Sequence, residues 1–294
     1  MMSSLSMPYA ECAVPDDWPG REHSELVSVG AQRWHMQQHG DQGPLVLLVH
    51  GAGASGHSWQ EVWPLLATNH RVIVIDLPGH GFSGPMQGAY TLPSTAAALD
   101  ALLAQQRLTP AAIVGHSAGG AIAMQWALQN GSGATRFSVI NPALLPFIGF
   151  AGFAFPAMAR VMANAPLLPT LIAGRARSRS AVARLISGTG SRIPGPILDV
   201  YHTLLQSPSH VRSVLAMMAA WRLESLIDEW RNHGQSLCVG LGLLDRAVPP
   251  GRTRSALRGI AMTSIQKWPA RGHLAHEESA EDIVDWLKRE EVVA

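Results

Sequence analysis

A serine stands between two glycines in Gly115-His116-Ser117-Ala118-Gly119, directly after the apolar run Ala111-Ala112-Ile113-Val114. A buried strand that turns sharply into a helix needs small residues on both sides of the corner, and the strained corner holds the serine hydroxyl clear of the sheet. Ser117 is therefore the candidate nucleophile. A serine hydroxyl attacks poorly at neutral pH unless a base lies within hydrogen-bond reach and a carboxylate fixes that base's tautomer. Asp245, in Leu243-Leu244-Asp245-Arg246-Ala247-Val248-Pro249, follows a run ending near Leu241, and His273, in Arg271-Gly272-His273-Leu274, follows one ending at Trp268. Serine, acid and histidine each sit just past a strand, where the loops could bring them within reach of one another for acyl transfer through a covalent intermediate. The tetrahedral intermediate also needs amide donors, for which the backbone N–H groups of Ala118 and of Ala52, in His50-Gly51-Ala52-Gly53, are the candidates.

Several residues compete for these roles. His276 lies three residues beyond His273 and is the alternative base, although a glycine turn directly before the histidine favours His273. Asp76 also ends an apolar run, in Asp76-Leu77-Pro78-Gly79-His80-Gly81, but precedes the nucleophile and reads as a loop-fixing residue. His57, His80 and His116 read as loop or core histidines. None of the thirteen histidines belongs to a two-histidine helical motif with an adjacent glutamate, and the two cysteines, Cys12 and Cys238, have no metal spacing, so neither a metal nor another cofactor is expected.

The elements that must position these groups alternate. Glu25 to Val29 and Arg33 to Gln37 read as an antiparallel pair. Leu45 to Val49 and Arg71 to Ile75 are continuous apolar runs, the pattern of strands covered on both faces. Helical spacing is expected over 58–67, 93–106, 119–129 and 280–288, with further strands over 137–140, 236–240 and 263–268. This predicts an α/β chain with a mostly parallel, doubly wound sheet, in which ligands sit beyond the carboxyl ends of the strands. Roughly ninety residues interrupt the alternation, which divides the chain into a core of 1–141 and 234–294 and an inserted helical cap of 142–233 placed as a lid over the site.

The balance of 47% apolar and 15% charged residues in 294 describes a chain that folds, and a formal net charge of +1 argues against a nucleic-acid partner. Two distant cysteines suit a reducing cytoplasm, and residues 1–20 lack the cationic start and apolar core of a signal peptide. The stretch 144–171 is long and apolar, but Arg160 and four prolines disqualify it as a spanning helix. From Pro146 to Arg222 there are eight arginines and one acid, Asp199, a surplus of seven positive charges in a chain whose total is one. The same segment supplies Phe147, Phe150, Met217 and Trp221. With Arg175, Arg177 and Arg179 these residues would bind a large, flat, apolar carboxylate, or dock the protein peripherally on an anionic membrane surface.

Through His50-Gly51-Ala52-Gly53, Asp76 to Gly81, the serine corner, Asp245 and His273, the chain resembles the α/β-hydrolase superfamily. More narrowly it is similar to the magnesium-chelatase accessory family of bacteriochlorophyll biosynthesis. That likeness rests on Asn141-Pro142-Ala143-Leu144-Leu145-Pro146, Ser187-Gly188-Thr189-Gly190-Ser191, Ala216-Met217-Met218-Ala219 and Gly272-His273-Leu274-Ala275-His276-Glu277-Glu278. The resemblance implies an α/β-hydrolase fold and a role beside magnesium chelatase, near magnesium insertion into a porphyrin. Two expectations follow: a serine hydrolase acting on esters or acyl compounds of an apolar, tetrapyrrole-like molecule, or a non-catalytic porphyrin-binding, chelatase-assisting protein that leaves its triad unused.

Overall fold

Five-residue apolar runs form the middle of an eight-stranded sheet in the computed structural model, which describes residues 13–131, 133–145 and 167–293. The strands are β1 (Ser24–Val29), β2 (Gln32–His39), β3 (Leu45–Val49), β4 (Arg71–Ile75), β5 (Ala112–His116), β6 (Arg136–Ile140), β7 (Leu237–Gly242) and β8 (Met262–Trp268). Their spatial order is β1-β2-β4-β3-β5-β6-β7-β8; β2 runs antiparallel to both its neighbours, and every pairing from β4 to β8 is parallel. After β4 the chain crosses to the far side of β3 to make β5, so a topological switch point opens between the carboxyl ends of β3 and β5. His50-Gly51 leaves one of those ends and Ser117 the other.

Alternation along β3 divides the core. Leu45, Leu47 and Val49 join a cluster completed by α2 (Leu92–Gln105), α3 (Ala118–Asn130) and α8 (Leu226–His233), whereas Val46 and Leu48 face α1 (Trp63–Leu66) and α11 (Ala280–Arg289). Each such side chain taken fully out of water contributes about 1.5–3 kcal/mol. Two further helices, α9 (Pro250–Ala256) and α10 (Ala275–Glu278), follow β7 and β8.

The helix expected over 58–67 is not continuous. Gly56–Trp59 forms a 3-10 turn and only Trp63–Leu66 is α-helical. Pro64 has no N–H to donate to the carbonyl of residue 60 and disfavours helical backbone at Trp63, so the helix can start there but cannot run through.

Between β6 and β7 lie α4 (Leu168–Arg175), α5 (Arg179–Gly188), α6 (Gly195–Leu205) and α7 (Pro208–Ala220), followed by α8. Ser178 and Ser207 cap α5 and α7 through their hydroxyls, and prolines occupy the first turn of α4, α6 and α7, where their missing N–H costs nothing. Helix α4 packs on α7 and α5 on α6, while α8 packs on α3 and sends Trp230 edge-on against Phe137. Ala176, Val182, Ile186, Ile197 and Tyr201 form a separate cluster that includes Ala54 and Leu274, so these helices are packed onto the loops after β3 and β8. No helix among the described residues is long and apolar enough to cross a membrane.

Candidate active site

The corner at Ser117 has φ 50° and ψ −112°, outside the regions favoured by residues with a Cβ. Its flanking glycines are required by contact: a Cβ on Gly115 would lie 2.5 Å from the carbonyl carbon of Gly119, and one on Gly119 would lie 2.2 Å from the Val49 oxygen. The strained peptide is held from both sides, since Ser117 N donates to the Ile140 carbonyl at 2.9 Å and the Ser117 carbonyl accepts from Ala143 N at 3.0 Å.

Ser117, His273 and Asp245 come together although they lie far apart in sequence. His273 Nδ1 is 2.8 Å from Asp245 Oδ2, and His273 Nε2 is 3.1 Å from Ser117 Oγ. A carboxylate can only accept, so the imidazole proton sits on Nδ1 and Nε2 is left to receive the serine proton. The other Asp245 oxygen, Oδ1, accepts the amides of Ala247 and Val248, each at 2.8 Å, which fixes the plane of the carboxylate. Asp245 is buried and the imidazole of His273 nearly so.

The base loop is gripped through its backbone. The His273 carbonyl accepts from Asn141 Nδ2 at 2.8 Å and from His116 Nε2 at 2.9 Å, while Asn141 Nδ2 also reaches the Gly272 carbonyl at 2.9 Å. Asn141 Oδ1 accepts from Gly242 N at 2.8 Å, so one side chain, on a residue with φ 45°, ties the end of β7 to the base loop. Burial, with His276 and His273 alongside, pushes His116 well below the ordinary histidine value and keeps it neutral. From sequence, His116 reads as a loop or core histidine and Asn141 as one residue of a family motif, and neither is given a part in holding the base loop.

On the other side of Ser117, Gly51 presses so closely that a Cβ would stand 2.8 Å from His116 Nδ1 and 3.0 Å from Ser117 Cβ. The Leu77 amide donates to His50 Nε2 at 2.9 Å, which puts the His50 proton on Nδ1, and this donates to the Gly51 carbonyl at 2.7 Å. Because a trans peptide is planar, the direction of the Gly51 carbonyl sets the opposite direction for the Ala52 N–H. Ala118 opens α3, and the N–H of a first helical residue has no partner within its own helix.

His276 is turned elsewhere. It is fully buried, with Nε2 2.7 Å from Ser58 Oγ, and the Ser58 hydroxyl also donates to Glu277 Oε1, which accepts the Tyr201 hydroxyl at 2.7 Å. Burial raises Glu277 to about 8 despite these donors and pushes His276 well below its ordinary value, so both are neutral and their contact at 3.7 Å is not an ion pair. Asp76 is a loop organiser: it accepts from Gly56 N at 2.6 Å and Phe82 N at 2.9 Å, and lies 2.7 Å from His35 Nδ1. Burial works against its charge, but His35, His50 and the Gly56 amide outweigh it and hold the carboxyl well below the usual range.

Of the residues expected to bind substrate, Phe147 and Phe150 lie outside the described residues. Arg175 and Arg177 are exposed, and Arg179 is exposed and paired with Asp199. Trp221 is half-buried, and Met217 packs in the cluster with Leu223, Leu226 and Trp230. The segment Thr189-Gly190-Ser191 touches the loops that carry Asp245 and His273: Arg246 N donates to the Thr189 carbonyl at 3.0 Å and Leu274 N to Ser191 Oγ at 2.8 Å. Among the described residues no group of three histidine, cysteine or acidic side chains is arranged to hold a metal ion.

Comparison with known proteins places this geometry in context. A model of the alpha/beta hydrolase family matches residues 46–286. The chain is 39% identical over 282 residues to the magnesium-chelatase 30 kDa subunit of Rhodobacter capsulatus, covering 94% of this chain and 98% of that protein. Among solved structures, the epoxide hydrolase CorEH superposes with a TM-score of 0.73 at 19% identity, covering 90% of this chain and 97% of that one. The esterase EaEST from Exiguobacterium antarcticum superposes with a TM-score of 0.70 at 18% identity, covering 87% and 96%. Identities this low establish a shared fold and leave the chemistry to the site.

Proposed function

This chain belongs to the alpha/beta hydrolase family, and from that we propose that it is a serine hydrolase whose nucleophile is Ser117, with His273 as base and Asp245 as the carboxylate that orients it. The observation that carries the proposal is the unbroken line from Asp245 through His273 to Ser117, at 2.8 Å and 3.1 Å. Ser117 Oγ attacks an acyl carbon while its proton passes to His273 Nε2. The amides of Ala52 and Ala118 receive the developing oxyanion, and the leaving group departs with the proton from His273. Water, activated by the same imidazole, then releases the acyl group. A serine in place of a nucleophilic aspartate favours acyl chemistry over epoxide opening, which proceeds through an alkyl ester of a carboxylate.

The substrate class is an ester or related acyl compound with a large apolar group, tetrapyrroles included, and the physiological setting is an accessory role beside magnesium chelatase. The cationic segment 146–222 supports an acid-bearing ligand, and the exposed Leu171 and Leu185, on helices that also carry Arg175 and Arg184, support an apolar one. The same features support peripheral attachment to an anionic membrane, and the two distant cysteines, Cys12 and Cys238, support residence in a reducing cytoplasm. A second reading, a porphyrin-binding protein that assists the chelatase without using its triad, is favoured by the relative from Rhodobacter capsulatus, which is a chelatase subunit by name. A fluorophosphonate probe separates the two. Labelling of the wild type but not of Ser117→Ala supports the hydrolase. Folded protein that resists the probe yet binds protoporphyrin tightly in an absorbance titration supports the carrier. Unchanged porphyrin affinity after charge reversal at Arg175, Arg177 and Arg179 would remove those arginines from the ligand site.

A further inference from the structure

Helix α7 belongs to the segment between β6 and β7, yet its third residue reaches the loop that carries the candidate oxyanion donor. His210 is buried, and Ser207, the helix cap, accepts its backbone amide. The ring bridges two loops. Gly81 N donates to His210 Nδ1 at 3.3 Å, which leaves the ring proton on Nε2, and Nε2 donates to the Gly53 carbonyl at 3.2 Å. Burial holds this histidine down at about 4, so the neutral form that can accept from Gly81 is the one present near neutral pH. The helix is seated closely as well: the Tyr90 hydroxyl donates to Ser213 Oγ at 2.9 Å, and a Cβ on Gly79 would lie 2.2 Å from that oxygen.

The Gly53 carbonyl shares a rigid peptide with the Ala54 N–H, and that N–H donates to the Gly51 carbonyl at 3.2 Å. The Gly51 carbonyl in turn shares a peptide with the Ala52 N–H. Two planar units joined by one hydrogen bond therefore connect the His210 ring to the amide that would receive the oxyanion. Gly53 itself has φ 83°, backbone that local preference does not hold for most residues, so an external grip on its carbonyl matters to the turn.

We infer that His210 is a positioning residue which aims the Ala52 amide by holding the Gly53 carbonyl, so that docking of α7 completes the oxyanion hole. The inference rests on the hydrolase reading above. It deepens that reading by making a helix outside the sheet part of the catalytic geometry.

The test compares full-length wild type with His210→Leu, His210→Gln and His210→Asn, using the rate of fluorophosphonate labelling. The downfield proton resonance of the His273–Asp245 hydrogen bond reports separately on the triad. His210→Leu should slow labelling about tenfold to a hundredfold, less than the roughly hundredfold to thousandfold that outright loss of an oxyanion donor costs, while the downfield resonance stays in place. Glutamine reaches the position of Nε2 with a donor and should recover labelling to within a few-fold of wild type. Asparagine keeps only an acceptor near Gly81 and should not. Wild-type rates in His210→Leu, or equal rescue by asparagine and glutamine, would overturn the inference while the hydrolase reading stands. Should His210→Leu fail to fold, the glutamine and asparagine pair decides alone. A folded wild type that never labels overturns both.

Discussion

Glu277 offers a measurement in which the sign and the size both follow from its surroundings. Its carboxyl is buried between Ser58, Tyr201 and His276, accepts two hydroxyls on Oε1, has no partner for Oε2 among the described residues, and is raised from the ordinary 4.5 to about 8. The folded protein therefore holds a proton that the unfolded chain releases near pH 4.5. Stability from this group is complete below that value and is lost as pH rises toward 8, at about 1.4 kcal/mol per pH unit. Glutamine has the same shape, accepts the same two hydroxyls and cannot ionise. Between pH 6.5 and 8 the stability advantage of Glu277→Gln over wild type should grow by about 2 kcal/mol. The buried histidines are common to both proteins and cancel in the difference. Urea unfolding at several pH values, followed by tryptophan fluorescence, gives the two curves. Parallel curves would show that Glu277 is not held protonated and that the reasoning from burial is wrong.

Gly190 has φ 88°, and a Cβ there would lie 1.9 Å from the Leu244 carbonyl, one residue before Asp245. Gly190→Ala should cost about 1–3 kcal/mol in urea unfolding and slow fluorophosphonate labelling by displacing the acid loop, whereas Gly188→Ala, in open space two residues earlier, should be silent on both measurements. Acid should unfold the protein early: His57 and His210 are held at about 3 and about 4, mainly by burial, so the folded state refuses protons that the unfolded chain accepts below about 6.5. Because burial also holds His116 and His276 well below the ordinary value, stability lost between pH 6 and 4 at a slope of about two protons or more would agree, and a flat profile over that interval would contradict it.

The parallel strands were legible because burial on both faces demands uninterrupted apolar residues, a signal local enough to read at Leu45 to Val49 or Arg71 to Ile75. The serine corner was legible for a similar reason, since Gly115 and Gly119 are forced by contacts within a few residues or with the adjacent strand. Asp245 and His273 could be chosen because each follows a strand end. The missed residues share a different trait. Asn141 and His116 act on the backbone of His273, and His210 on that of Gly53, across more than a hundred residues of chain. A side chain that holds a distant carbonyl leaves no pattern around itself. The broken helix at 56–66 was legible in principle: Pro64 forbids a continuous ladder, and the apolar spacing of Trp59, Val62, Trp63 and Leu66 reports only that one side is buried.

The helices between β6 and β7 meet the catalytic loops through fixed polar contacts as well as greasy ones: Thr189 with Arg246, Ser191 with Leu274, Tyr201 with Glu277, and His210 with Gly53. Such a roof is not an interchangeable module. Grafting a segment without Ser191, Tyr201 and His210 onto this sheet would remove three side-chain attachments at once, so such a chimera should disturb the loops around Ser117 as well.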